Sequence, residues 1–290
     1  MIRIDYPDIE CTDVFGTCLD SVHVEGDENI DYLMRMREIS DEISLSWADF
    51  ESRIPNKDLY LISPCLYAEL DQIIAGRVKK KELKKLYETY MIKAGSESRK
   101  VYDRLRCSAI NNKCPFCGIR SVKTLDHYLP KSRFPMHSVN PRNLIPSCRD
   151  CNTGKGSDIF ESRSKQTLYA YDDNAIFYDN DWVFSTPELK QGILLFDFFA
   201  DPPASWSQEH RERAINHFES YGLREVYVEN SIDEATDIKI NINYILSGSG
   251  TSETVRDFFL MHARGQRKNS FKRAMFFAVA ADEDLCSGVF

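Results

Sequence analysis

The sequence predicts an α+β fold in which a small two-stranded core, tied by cysteines, sits between mainly helical flanks. Three features predict it. Two Cys-x-x-Cys pairs, Cys114/Cys117 and Cys148/Cys151, are separated by a 30-residue insert, 118–147, long enough for two strands and a loop. On both sides apolar residues recur at three- and four-residue spacing, the mark of amphipathic helices. Short apolar runs at 182–184 and 192–199 read as further strands. The expected division is an acidic, mainly helical region at 1–96, a core at 97–165, and a C-terminal α+β region, mostly helical, at 166–290.

Residues 1–27 show no decisive period. From Asn29 to Ser46, Ile30, Leu33, Met34 and Arg37 fall on one side of a helix. Trp47 to Ile54 continue as a second helix until Pro55-Asn56 breaks it. Residues 65–94 read as helix, with one stripe at Leu66, Leu70, Ile73 and Ile74. Gly76 interrupts, and a second stripe follows at Leu83, Leu86, Tyr90 and Met91. The basic run Arg77 to Lys85 reads as a solvated helix face, with a nucleic-acid patch as the alternative. Gly95-Ser96 stops this helix and caps the next, Glu97 to Ile110, with Val101, Leu105 and Ala109 inward.

In the core segment, strands are expected at Thr124–His127 and Asn143–Ile145, with a helix from near Cys151. The loop between the strands, at 128–142, is expected to be stiffened by Pro130, Pro135, Pro141 and Pro146. His137 reads as an exposed loop side chain, with a substrate contact as the alternative. Two thiolates two residues apart can turn onto one ion, and two such pairs supply four sulfurs for a tetrahedral zinc. Pro115 and Gly118 suit the tight turn that this needs. A disulfide framework and two unrelated pairs are the alternatives; nothing in the chain indicates an oxidising compartment. A zinc closed by four sulfurs does no chemistry itself and fixes what lies around it. Asp126 and Asn152 offer hard oxygen ligands suited to Mg²⁺ or Mn²⁺. His127 has the side chain that titrates near neutrality and can take a proton from water. A divalent ion facing a general base makes a reasonable phosphodiesterase.

The string Cys-x2-Cys, Asp126-His127, Asn143, Cys-x2-Cys-Asn-x2-Lys resembles the HNH endonucleases, the ββα-metal (His-Me finger) nucleases, in their zinc-braced four-Cys branch. The resemblance runs from Asn111 to Glu161. It implies Asp126 as a metal ligand, His127 as general base, Asn143 as the residue that orients the loop, and Asn152 as the last metal ligand. The final histidine of the family name is replaced by Asn152. The resemblance further implies that Lys155 approaches a phosphate and that Lys131, Arg133 and Arg142 meet the DNA backbone. Arg99, Lys100, Arg104 and Arg106 would line its approach. Leu125 to Pro135 is similar to HNH proteins of bacterial anti-phage systems of the Septu type. That implies a partner, a regulatory or sensor ATPase. The rival readings are a non-catalytic zinc-braced binding module and an RNA-directed nuclease.

The formal net charge of −8 does not suit a simple polyanion binder. Its distribution is uneven. Residues 1–51 hold 14 Asp/Glu and 3 Lys/Arg, whereas residues 98–165 hold 14 Lys/Arg and 5 Asp/Glu. The local field governs attraction to phosphates, so the basic core is the expected nucleic-acid face. There is no run of roughly 18 apolar residues, and therefore no expected membrane span. With four of the nine cysteines assigned, Cys11, Cys18, Cys65, Cys107 and Cys286 remain as scattered thiols that fit a reducing cytoplasm.

In the C-terminal region Trp182–Phe184 and Gly192–Phe199 are expected to pair as a hairpin. Helices follow from Ser205 or Ser207 to Tyr221, over 223–247, from Thr251, and around Phe271 to Val279. His210 and His217 share a face of the first of these and read as packing residues. The basic run Arg264 to Arg273 is either an extension of the DNA surface or a solvated link.

Overall fold

A computed structural model describes residues 1–9, 13–24 and 27–290. Cys11 lies outside them. The chain divides into two compact units, Ile2–Asp173 and Asn174–Phe290, with Met1 grouped with the second. The first unit therefore holds both the acidic N-terminal region and the cysteine-bearing core.

The first unit begins with α1 (Val14–Asp20), whose first turn is closed by the Asp13 carboxylate accepting from the Gly16 amide at 2.8 Å. Next come α2 (Asp27–Glu38) and α3 (Ser40–Arg53). These bury Tyr32, Leu33, Met36, Ile43 and Phe50; of the stripe expected at 29–46, Leu33 is buried but Ile30 and Met34 are exposed, because α2 turns Tyr32 and Met36 inward instead. A short hairpin, β1 (Ile73–Ala75) with β2 (Val78–Lys79), turns at Gly76 with φ +50°, a value that glycine adopts at little cost. It leads into α4 (Lys80–Lys85), which continues as one turn of π-helix at Leu86–Met91. Arg35 reaches across from α2 and grips both oxygens of Glu82 at 2.8 and 2.7 Å.

The expectation of helix throughout 65–94 is thus corrected for its first half. Leu66, Leu70 and Ile73, the supposed inward stripe, are exposed. Polar groups organise the segment instead. Lys80 is fully buried, and its ammonium donates to the carbonyls of Leu66 and Tyr67 at 2.6 and 2.7 Å. The Gln72 side chain accepts from the Leu66 amide.

After α5 (Glu97–Cys107), capped by Ser96, the chain enters the core. Strand β3 (Thr124–His127) pairs antiparallel with β4 (Leu144–Ser147), setting Asp126 opposite Ile145 and His127 opposite Leu144. Helix α6 (Arg149–Gly154) follows directly, with Cys148 as its N-cap. The second strand starts one residue later than expected, because Pro141–Asn143 forms a 3₁₀ turn that the Asn140 side chain caps. His137, expected to be exposed, is 2% exposed and packs 5.1 Å from the Phe50 ring of α3.

The second unit contains α7 (Ile176–Asp179), the hairpin β5 (Val183–Lys190) and β6 (Ile193–Ala200), α8 (Gln208–Ser220), α9 (Leu223–Ser247), α10 (Ser252–Gly265), α11 (Phe271–Ala281) and α12 (Glu283–Cys286). Gln191 and Gly192, both with positive φ, make the two-residue turn that matches strand twist. The Asn269 amide ties the start of the hairpin, accepting from the amides of Trp182 and Val183 and donating to the carbonyls of Phe177 and Asn180. Two cations of the basic run 264–273 are committed inside this unit: Lys268 and Arg273 both bind Asp181. His217 is buried, and His210 lies edge-on to Phe177, so both pack as expected. Among the described residues, no helix is long and apolar enough to cross a membrane.

Candidate active site and metal centre

Cys114, Cys117, Cys148 and Cys151 are buried at 0–2% exposure, and their sulfurs lie within 4.8 Å of one another. Four sulfurs on a tetrahedral zinc stand about 3.8 Å apart, given bonds of about 2.3 Å, so this cluster fits the ion. The backbone suits it too. The Gly118 amide donates to the Cys114 carbonyl at 2.7 Å, with Gly118 at φ +73°, and the Cys151 amide points at the Cys148 sulfur at 3.4 Å. Cys148 thereby both caps α6 and completes the cluster, which fixes the helix against β4.

Strand β3 and helix α6 carry the polar residues. Asp126, His127 and Asn152 line one cleft of about 190 Å³, together with Pro130, Lys131 and Ser132 of the loop and Gly156 and Ser157 beyond the helix. Two further lining residues, Lys84 and Glu88, come from α4 and the π-helical turn. These two were not expected. Nothing local in the sequence ties a helix in the first hundred residues to the cleft; only the fold brings it there.

His127 is held from two sides. Its Nε2 lies 2.8 Å from the Ser138 carbonyl, which only accepts, so Nε2 carries the hydrogen and Nδ1 keeps the lone pair. The Tyr87 ring meets the imidazole edge-on at 4.4 Å, and its hydroxyl donates to the Leu125 carbonyl. Burial, and then the neighbouring Lys131 ammonium, lower the imidazole pKa to about 3, so the ring is neutral at physiological pH. Asp126 is buried beside Lys155, whose ammonium sits 3.2 Å from Oδ2 and donates to the carbonyls of His127 and Tyr128. Burial pushes the Asp126 carboxyl up and the Lys155 ammonium down, and each partly offsets the other's shift.

Asn143 has no exposed surface. Its amide accepts from the Leu129 N–H at 2.7 Å and donates to the carbonyls of Leu129 and His137 at 2.9 and 3.1 Å. It thus holds both ends of the loop that follows His127.

The basic residues expected at phosphates divide. Lys131 does line the cleft, with its ammonium 5.3 Å from the Tyr87 ring centre and 3.7 Å from Glu88. Lys155 is corrected: it is 6% exposed and saturated by three oxygens, so it braces the site rather than reaching a phosphate. Arg142 stacks its guanidinium 3.6 Å from the Tyr6 ring centre and pairs with Glu51, away from the cleft lining. Arg133 is also absent from the lining; its carbonyl accepts from the Cys65 amide. On α5, Arg99 and Arg106 pair with Asp103, and Lys100 pairs with Glu97.

Residues 114–158 match the HNH endonuclease family. The chain is 30% identical over 236 residues to protein ea31 of Escherichia phage lambda, covering 75% of this chain and 77% of that protein. It is 37% identical over 79 residues to Septu protein PtuB of Bacillus thuringiensis, covering 25% of this chain and 31% of that protein. No solved structure matches the chain. The matched segment begins at the first cysteine of the zinc-fitting cluster and takes in both strands and the helix that it braces, and the likeness to ea31 extends over three quarters of the chain: the protein belongs to the HNH endonuclease family, in its zinc-braced four-cysteine branch.

Proposed function

We propose that this protein is a metal-dependent endonuclease that hydrolyses DNA phosphodiester bonds, with His127 as the general base. The observation that carries the reading is the imidazole itself: neutral, fixed through Nε2–H to Ser138, and left with Nδ1 as a basic nitrogen in a cleft it shares with Asp126 and Asn152. A water beside Nδ1 would give its proton to the ring as its oxygen attacks phosphorus. The approach of an anionic phosphate favours the imidazolium and opposes the effect of burial. Asp126 and Asn152 would hold a Mg²⁺ or Mn²⁺ ion. Asp126 Oδ2 faces Lys155, and the carboxylate and the amide both line the cleft, a hard-oxygen set that fits such an ion. When bound, the ion supplies charge stabilisation for the leaving oxygen. Asn143 keeps the loop, and with it the Ser138 carbonyl, in register with the imidazole.

The role that fits the partial likeness to PtuB is anti-phage defence, in which the nuclease acts with a protein partner, a regulatory or sensor ATPase. Co-purification from cells expressing the neighbouring reading frames tests that role.

Plasmid cleavage with added Mg²⁺ or Mn²⁺, on wild type and His127→Ala, tests the chemistry. Loss of cutting by about 10²-fold or more, with zinc content unchanged, is expected. Cutting at the wild-type rate by the variant would end the assignment. Matched RNA in the same assay decides between the two nucleic acids.

A further inference from the structure

The cleft wall facing His127 comes from α4 and the π-helical turn, outside the segment 114–158 that defines the family. A π-helical turn is often found at functional sites, and this one forms the C-terminal end of α4. Here it sets Tyr87 against the imidazole and Glu88 into the cleft. The Glu88 carboxylate stands between two ammonium groups: Oε1 is 3.7 Å from Lys84 Nζ and 3.7 Å from Lys131 Nζ. These distances exceed those of charge-assisted hydrogen bonds, about 2.7–2.9 Å, so Glu88 bridges the lysines loosely and neither is saturated. Lys131 also acts electrostatically on both Asp126 and His127, which places its charge beside the reacting groups. Two lysines in one cleft with a general base form an anion site, and in the free protein the anion in it is the chain's own carboxylate.

We propose that Lys84 and Lys131 form a phosphate subsite of the nuclease cleft, and that Glu88 is its internal placeholder, displaced when a phosphodiester oxygen of the nucleic-acid chain enters. This deepens the endonuclease reading and rests on it. Lys84 and Lys131 are positioning residues for the phosphate. Glu88 raises the threshold for occupancy and disfavours weakly held anions.

The test measures binding rather than cutting. A fluorescent DNA duplex of mixed sequence is titrated with His127→Ala protein, without added divalent ions, across a range of salt. Glu88→Gln in this background removes the competing charge and keeps the side chain's size. It is expected to tighten binding on the order of fivefold, with the gain fading as salt rises. Lys84→Ala should weaken binding and lower the slope of log K against log salt by about one. Lys84 and Glu88 are partly exposed, so both variants are expected to keep the parent's melting temperature and zinc content. Unchanged or weaker binding by Glu88→Gln overturns the placeholder role, and an unchanged salt slope for Lys84→Ala overturns the subsite. Cutting at the wild-type rate by the His127→Ala parent with Mg²⁺ would remove the base assignment while leaving these binding results to stand or fall separately.

Discussion

Asn143 binds both polar atoms of Leu129: its Oδ1 accepts from the Leu129 N–H at 2.7 Å and its Nδ2 donates to the Leu129 carbonyl at 2.9 Å. A backbone pairing of this kind would ordinarily come from a neighbouring strand. Here one side chain, wholly buried, supplies it where strand β3 has already ended. Asn143→Ala strands these groups away from water, and each buried unmade hydrogen bond costs about 1–3 kcal/mol. A loss of about 3 kcal/mol in denaturant unfolding is expected, with zinc still bound. A loss under about 0.5 kcal/mol would show that the loop holds itself.

Lys155 and Asp126 form a buried ion pair, at 4% and 7% side-chain exposure. Removing one partner leaves an uncompensated charge, which costs about 3–5 kcal/mol. Lys155→Met should therefore destabilise strongly. Lys155→Met with Asp126→Asn should recover part of the loss, because the remaining charge is gone. Urea titrations of the four proteins in the cycle give the coupling. Strict additivity of the two substitutions would rule the pairing out as the cause.

Acid should destabilise the fold through its buried imidazoles. Burial lowers the pKa of His137 to about 4 and that of His127 to about 3, against about 6.5 in the unfolded chain. The unfolded state then binds more protons below pH 6.5. This stability is complete above about 6.5 and is lost as pH falls toward the folded values. For His137 alone the loss by pH 5 is about 2 kcal/mol. His137→Gln should flatten that part of the pH dependence, read from urea midpoints with zinc content checked at each pH. An identical slope in the variant would place the acid sensitivity elsewhere.

Zinc should be found at one ion per chain, and Cys151→Ala should lose it. That substitution also removes the sulfur from the helix that Cys148 caps, so the pairing of β3 with β4 is expected to loosen together with metal loss. Metal analysis and amide hydrogen exchange across Thr124–Ser147 read the two effects. Full protection of that hairpin in a zinc-free variant would make the metal dispensable to the core.

The cysteine cluster, strand β3 and the helices flanking the core were legible because their signals are local: ligand spacing, a proline-bounded loop, a repeat of three to four residues. The stretch 65–79 was not. Its apolar residues are spaced as in a helix, yet Leu66, Leu70 and Ile73 face solvent. What shapes the backbone there is the ammonium of Lys80 turned inward onto two carbonyls, and spacing carries no trace of that. Lys155 was misjudged for a related reason: a lysine next to a motif reads as a surface cation until its burial is seen. Lys84 and Glu88 depend on a long-range approach of α4 to the loop after β3, which no local pattern encodes.

Helix α3 reaches the far side of that loop. The Trp47 indole donates to the Met136 carbonyl at 2.9 Å, Ser46 meets the His137 ring, and Phe50 covers it. Excising 114–158 would bare the back of its own loop to water, so the motif relies on α3 for part of its packing. A transplant of the motif that keeps this loop buried has to carry α3 along with it.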